Sequence, residues 1–250
     1  MRITEEVKTI NIYVPEYYRE FHCITSKCRH TCCAGWEIDI DSDSLARYQQ
    51  LTGDFGVRVN RNISCEGTPH FILTEHERCP LLNQNNLCDL ILNEGEDALC
   101  QICRDHPRFR NYFSSRIEMG LGLACEEAAR IILSWPKPFR LIRLEGDNTE
   151  NSTEDERYLF ALREEWLTSI SDEGPRSRLM ETLIYRHLAD ALHDGRLEKR
   201  IGFIQRAFKF IADDWHDECI DTLVERARAF SDQVEYDDEV LERWIEEPEC

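Results

Sequence analysis

The chain has 250 residues, 42% hydrophobic and 32% charged, an ordinary balance for folding around one large core or two modest ones. Its formal net charge is -19, carried unevenly: residues 1–125 hold 13 Lys+Arg against 18 Asp+Glu, residues 126–250 hold 17 against 31. A surface of that sign repels phosphate backbones and argues against a nucleic-acid partner. No stretch approaches the ~18 uninterrupted apolar residues of a membrane span, and the first residues, MRITEEVKTINIYVPEYYREF, lack the basic patch and apolar run of a secretory leader. A cytoplasmic location without membrane insertion is therefore expected.

Along the chain, Trp36 to Asp41 alternates apolar and polar residues and predicts a brief strand. Asp41 to Ser44 offers capping side chains for a helix over roughly Leu45 to Leu51. Gly53, Gly56, Gly67 and Pro69 mark loops. Arg116 to Leu123 alternates again, as a second strand. Cys125 to Trp135 reads as a helix ended by Pro136 and Pro138, which cannot donate to a helical ladder. Residues 144–156 are almost wholly polar and predict a linker.

Beyond the linker the period becomes helical. Leu159, Leu162, Trp166, Leu167 and Ile170 share one face. Pro175 suits a first helical turn, Leu179, Leu183, Ile184, Leu188 and Leu192 form a stripe, and Gly195 suits the stop. Ile201 to Ile211, Ile220 to Phe230 and a short Val240 to Ile245 give three more stripes, the last preceded by the acidic start Asp237-Asp238-Glu239. The expected fold is mainly α with small irregular and β elements. A cysteine-rich metal- or cluster-binding domain over 1–143 is followed by a linker over 144–156 and an acidic helical domain over 157–250.

Ten of the twelve cysteines lie at or before Cys125. In a reducing compartment such clustering points to metal binding or redox chemistry before disulfides. The strongest group is Cys23-x4-Cys28-x3-Cys32-Cys33. Thiolates are soft ligands suited to Fe–S clusters, Zn or Cu(I), and Lys27 and Arg29 would offset the charge of a thiolate centre. The bland alternative is a set of buried thiols or a disulfide. A second group joins Cys79 to Cys88 through an Asn-rich stretch, read as a turn that brings the two thiols together, and continues to Cys100-x-x-Cys103. That pair has the spacing of metal or redox thiols, although free Cys is also a common small core residue. The candidate metal ligands are Cys23, Cys28, Cys32, Cys33, Cys79, Cys88 and Cys103, with the largest metal loss expected on replacing Cys23, Cys28 or Cys32. Cys65, Cys219 and Cys250 look incidental. His22, His30 and His106 flank cysteines and read as hydrogen-bonding neighbours before ligands, and Trp36 reads as a core residue before a cofactor contact.

Several segments together resemble the flagellin lysine-N-methylases, whose CxxxCxxCC module is described as zinc- or iron-chelating. They are Phe21-His22-Cys23 through Cys32-Cys33-Ala-Gly-Trp36-Glu-Ile-Asp-Ile-Asp41, Cys79-Pro-Leu-Leu with Cys88-Asp-Leu, Leu99 to Arg108, and Leu121-Gly-Leu-Ala-Cys125-Glu-Glu-Ala-Ala-Arg130. The likeness covers about half the chain, from Tyr17 to Ile132. It implies transfer of methyl groups from S-adenosylmethionine to lysine side chains of flagellin by a protein carrying a [4Fe-4S] cluster. The sequence departs from the common methyltransferase pattern in having no glycine-rich GxGxG turn, and its x4, x3 spacing differs from the CxxxCxxC of radical enzymes that use S-adenosylmethionine. Direct displacement by a deprotonated lysine beside a structural cluster, and reductive cleavage at an open iron, are both compatible with these residues. Neither the methyl-donor site nor a catalytic group is legible. The alternative from another class is a non-catalytic zinc- or mononuclear-iron-binding module serving protein interaction or metal delivery.

Overall fold

The structure, a computed structural model, describes residues 10–146, 151–170, 174–215, 219–236 and 238–246. Its elements in chain order are β1 (Asn11–Pro15), α1 (Ser42–Gln49), α2 (Gly53–Arg61), β2 (Ile63–Ser64), β3 (His70–Phe71), α3 (Asp89–Glu94), α4 (Gln101–Asp105), β4 (Arg108–Tyr112), β5 (Arg116–Leu121), α5 (Glu126–Leu133), β6 (Leu141–Glu145), α6 (Glu154–Ser169), α7 (Pro175–Asp194), α8 (Leu197–Asp214), α9 (Ile220–Tyr236) and α10 (Asp238–Glu246). The fold is mainly α with small β elements, as the residue pattern predicts. Among the described residues, no helix is long and apolar enough to cross a membrane.

The chain divides into two compact units, one formed by residues 1–22 and 107–250, the other by Cys23–His106. This division differs from the boundaries expected near residues 143 and 157. The physical reason lies in β1, which precedes the cysteines in sequence yet runs parallel to β5, with Ile12 opposite Ile117, and antiparallel to β6, with Val14 opposite Ile142. The resulting sheet has the order β4-β5-β1-β6, so the cysteine unit is an insertion in the sequence of the other. Of the expected linker, residues 144 and 145 complete β6 and residues 154–156 begin α6, whereas 147–150 lie outside the described residues.

In the helical unit, α7 is buried on most of its circumference, packing against α5, α6, α8 and α9. Leu179, Ile184, Leu188 and Ala189 are fully inaccessible, as are Phe203, Ile204, Ala207 and Ile211 from α8. Pro175 occupies the start of α7 and Gly195 ends it in the left-handed conformation, φ 68°. The first turn of α6 is a capping box: Thr153 Oγ1 accepts from the Glu156 amide at 3.2 Å, and Glu156 accepts from the Thr153 amide at 3.2 Å. One buried charge pair ties helix to sheet. Arg163 of α6 donates to both carboxylate oxygens of Glu118 in β5, at 2.6 and 2.8 Å. Burial opposes the Arg163 charge, but Glu118 more than offsets it and holds the pKa above its usual value.

The cysteine unit is built from short elements around Ile38, Ile40, Tyr48, Val59, Phe71, Leu81 and Leu90, with Cys79 and Cys100 inside the same core. Its helix α1 matches the predicted one and is capped by Asp41. The strand expected over Trp36–Asp41 reduces to a single bridge, Asp39 opposite His70, flanked by bonds from the Ile40 amide to Pro69 O and from the Phe71 amide to Ile38 O. The loop expected at Gly53 and Gly56 is instead helix α2. Gly56 is there for close approach, since a Cβ on it would lie 2.4 Å from the carbonyl carbon and oxygen of Leu51.

Candidate functional site

Three local devices collect the thiols of the cysteine unit. The first is an antiparallel contact between residues 33–35 and 77–79. Ala34 bridges Arg78, the Cys79 amide donates to Cys33 O at 2.8 Å, and the Gly35 amide donates to Glu77 O at 3.1 Å. His76 and Glu77 enter this contact with positive φ, 60° and 53°, a costly conformation for residues with a side chain. The second device is the Asn-rich turn. Leu82 bridges Cys88, the Asn83 amide donates to Leu87 O at 2.9 Å, and Asn83 Oδ1 accepts from the amides of Asn85 and Leu87. Asn86 adopts φ 56°, which asparagine tolerates better than most residues. The turn predicted between Cys79 and Cys88 is therefore present, and both residues belong to the apolar cluster of the unit.

The third device is Asp41. One of its carboxylate oxygens accepts from the Ser44 amide at 3.0 Å and starts α1; the other accepts from the Gln101 amide at 2.7 Å and fixes the start of α4. Burial works against this charge, yet the two backbone amides hold the carboxyl at a pKa of about 2. Beside it, Tyr48 is inaccessible and donates its hydroxyl to Ala98 O at 2.8 Å. These bonds set the segment that carries Cys100 and Cys103.

The result is a set of five neighbouring thiols, Cys33, Cys79, Cys88, Cys100 and Cys103. All eleven described cysteines are thiols, with no disulfide among them. The thiols are electrostatically unequal. Hydrogen bonding with Cys103 holds Cys100 down at about 7, and the same bond, together with burial, pushes Cys103 far up. Cys33 is held at about 7 chiefly by its bond with Cys32, helped by Thr31 and the Arg78 charge against burial. Burial pushes Cys79 up to about 12 and also raises Cys88. Thiols poised near neutrality beside thiols that need a cation to ionise are suited in donor type to a soft metal or an iron–sulfur cluster. Among the described residues, no three His, Cys, Asp or Glu side chains stand in an arrangement that could hold a single metal ion.

Of the seven cysteines singled out by spacing, Cys33, Cys79, Cys88 and Cys103 fall in this neighbourhood. Cys23 and Cys32 are exposed and Cys28 is half-buried, on a segment of short turns. Cys32 touches the set through Cys33. Cys100, the CxxC partner of Cys103, joins it as well, and the paired spacing is a signal for both. Cys65 is exposed, Cys125 belongs to the helical unit at the start of α5, and Cys250 lies outside the described residues. Trp36 is half-buried, donating Nε1–H to Cys32 O at 2.8 Å and stacking on His106 at 6.1 Å between centroids. His22 and His30 are exposed.

Fold and site thus define a class: an α-rich protein with an inserted cysteine unit whose thiols are gathered in one core. Within that class, the chain is similar to proteins named lysine-N-methylase from Salmonella typhimurium and Salmonella choleraesuis, each 27% identical over 143 residues, which is 54% of this chain and 35% of the relative. It is equally similar, over 143 residues, to the flagellar biosynthetic protein FliU of Salmonella muenchen, of which 84% is covered. The resemblance read from the cysteine segments is borne out. The match spans about a third of the length of the two methylases. No family model matches the chain, and no solved structure does.

Proposed function

We propose that the chain takes part in methylation of lysine side chains on flagellin, with S-adenosylmethionine as methyl donor and a [4Fe-4S] cluster held by thiols of the cysteine unit, in the cytoplasm. The observation that carries this reading is the 143-residue similarity to proteins named lysine-N-methylase and to a flagellar biosynthetic protein. The gathered thiols support the cluster part of it, because they are uniformly soft donors in one core. The cluster would supply structural rigidity or electrons for cleaving the donor. The acidic surface, net -14 over residues 126–250, suits a substrate that presents a lysine ammonium. That ammonium must lose its proton before its nitrogen can attack a methyl sulfonium.

The test is incubation of anaerobically purified, metal-loaded chain with flagellin and methyl-labelled S-adenosylmethionine, followed by mass spectrometry of flagellin peptides. Label on lysine is the expected result. Absence of label on lysine, with the protein folded and its metal retained, would overturn the reading.

A further inference from the structure

The core of the helical unit encloses one histidine. His187 of α7 is buried, and its ring packs on Phe203 of α8 at 4.4 Å between centroids. Arg200 Nη1, also of α8, lies 3.1 Å from His187 Nδ1. A guanidinium only donates, so this bond needs the lone pair of Nδ1 and fixes the ring as the neutral Nε2–H tautomer. We propose that His187 is an acid-sensitive latch between α7 and α8. While neutral, it accepts from Arg200 and keeps the helical unit closed. Proton uptake at mildly acidic pH breaks that bond, drives the ring out of its site and loosens α7 from α8.

Three observations carry it. Arg200 is held in place from its far side: its Nε donates to Asp194 Oδ2, at the end of α7, at 2.9 Å, and its Nη2 lies at the same distance from that oxygen. Its Nη1 therefore stays aimed at the ring. Secondly, His187 Nε2 is enclosed and meets no hydrogen-bond partner among the described residues, so the ring has no second acceptor to turn to when Nδ1 gains a hydrogen. Thirdly, the surrounding charges do not favour a cation. Arg186 and Asp190 of α7 and Arg200 of α8 face the ring. Asp190 Oδ2 stands 3.9 Å from His187 Nδ1 but also 3.8 Å from Arg200 Nη1, so one carboxylate already answers two guanidinium groups. Among the described residues, no ionisable group of α5, α6 or α9, the other helices packed on α7, bonds or pairs with the ring. Burial first, then Arg186 and Arg200, hold His187 well below the usual histidine range. The unfolded chain takes this proton near pH 6.5 and the folded chain does not. Stability that is complete above about pH 6.5 is therefore lost as the pH falls below it.

The experiment is urea unfolding of the full chain, followed by circular dichroism between about pH 7.5 and about pH 5, for the parent and for His187→Gln. Glutamine offers Arg200 an acceptor oxygen that takes up no proton. Below about pH 6.5 the unfolding constant of the parent should rise relative to that of His187→Gln by about tenfold per pH unit. Groups elsewhere titrate alike in both proteins and cancel in the comparison. Parallel pH profiles would overturn the proposal. Because a substitution in the core can impair folding, a second measurement uses the unmodified chain: deuterium exchange at the imidazole C2 position, mapped by mass spectrometry over the same pH range. His187 should exchange slowly and show no midpoint near pH 6.5 while the chain is folded. An ordinary midpoint near that pH, in a chain whose dichroism is still native, would refute the latch. Neither readout depends on metal or on methyl transfer.

Discussion

Asp41→Ala removes a carboxylate that two helix starts share. In the native protein its oxygens accept from the Ser44 amide at 3.0 Å and the Gln101 amide at 2.7 Å. Losing a side-chain cap costs about 0.5–2 kcal/mol. Two caps are lost here; the Ser44 site is buried, so its amide is slow to find water. The expected destabilisation is about 2 kcal/mol, read as a lower urea midpoint by circular dichroism. Asp41→Asn keeps one acceptor oxygen and should recover roughly half of that, about 1 kcal/mol. The pH dependence follows from the depressed pKa of about 2 against an unfolded value near 3.9. A group whose carboxyl is depressed by folding contributes its full stability above the unfolded pKa. The contribution of Asp41 is therefore complete above about pH 4 and is lost as pH falls towards about 2. Hydrogen exchange should localise the damage to the amides of Ser44 and Gln101. An Asp41→Ala protein as stable as its parent, with unchanged exchange at those two amides, would refute the account of how α4 is held.

Three further substitutions test the packing. Glu118→Gln leaves Arg163 buried without its carboxylate and should cost about 3–5 kcal/mol in thermal or urea unfolding, while Glu118→Leu combined with Arg163→Met should recover most of that. Gly56→Ala gains about 1 kcal/mol in helix propensity but forces a Cβ against the Leu51 carbonyl. Overpacking of this kind costs about 1–3 kcal/mol, so a net loss in urea unfolding is expected, and a stabilised variant would contradict the close approach. Thr153→Ala should cost about 1 kcal/mol through the capping box of α6, with Thr153→Ser close to the parent.

The helical elements were legible because their signals are local. Pro175, Gly195 and the stripe through Leu179, Ile184 and Leu188 specify α7 from consecutive residues, and the structure follows them. The sheet was not, since its central strand β1 pairs with residues 116–118 and 141–145, partners that no local pattern names. The same non-locality applies to the cysteines. Spacing weighs thiols that are close in sequence, hence Cys23, Cys28 and Cys32. What gathers Cys33 with Cys79, Cys88 and Cys103 is a bridge between residues 34 and 78 and a carboxylate reaching from residue 41 to residue 101. The Asn-rich turn was readable because asparagine chemistry is itself local. Gly56 misled as a loop signal because its lack of a side chain serves a contact with Leu51 rather than a bend.

The most direct measurement is the metal and sulfide content of the chain isolated under strict exclusion of oxygen, together with its visible spectrum. A brown protein with about four iron and four sulfide per chain is expected. A folded, colourless protein free of iron and zinc under those conditions would contradict it.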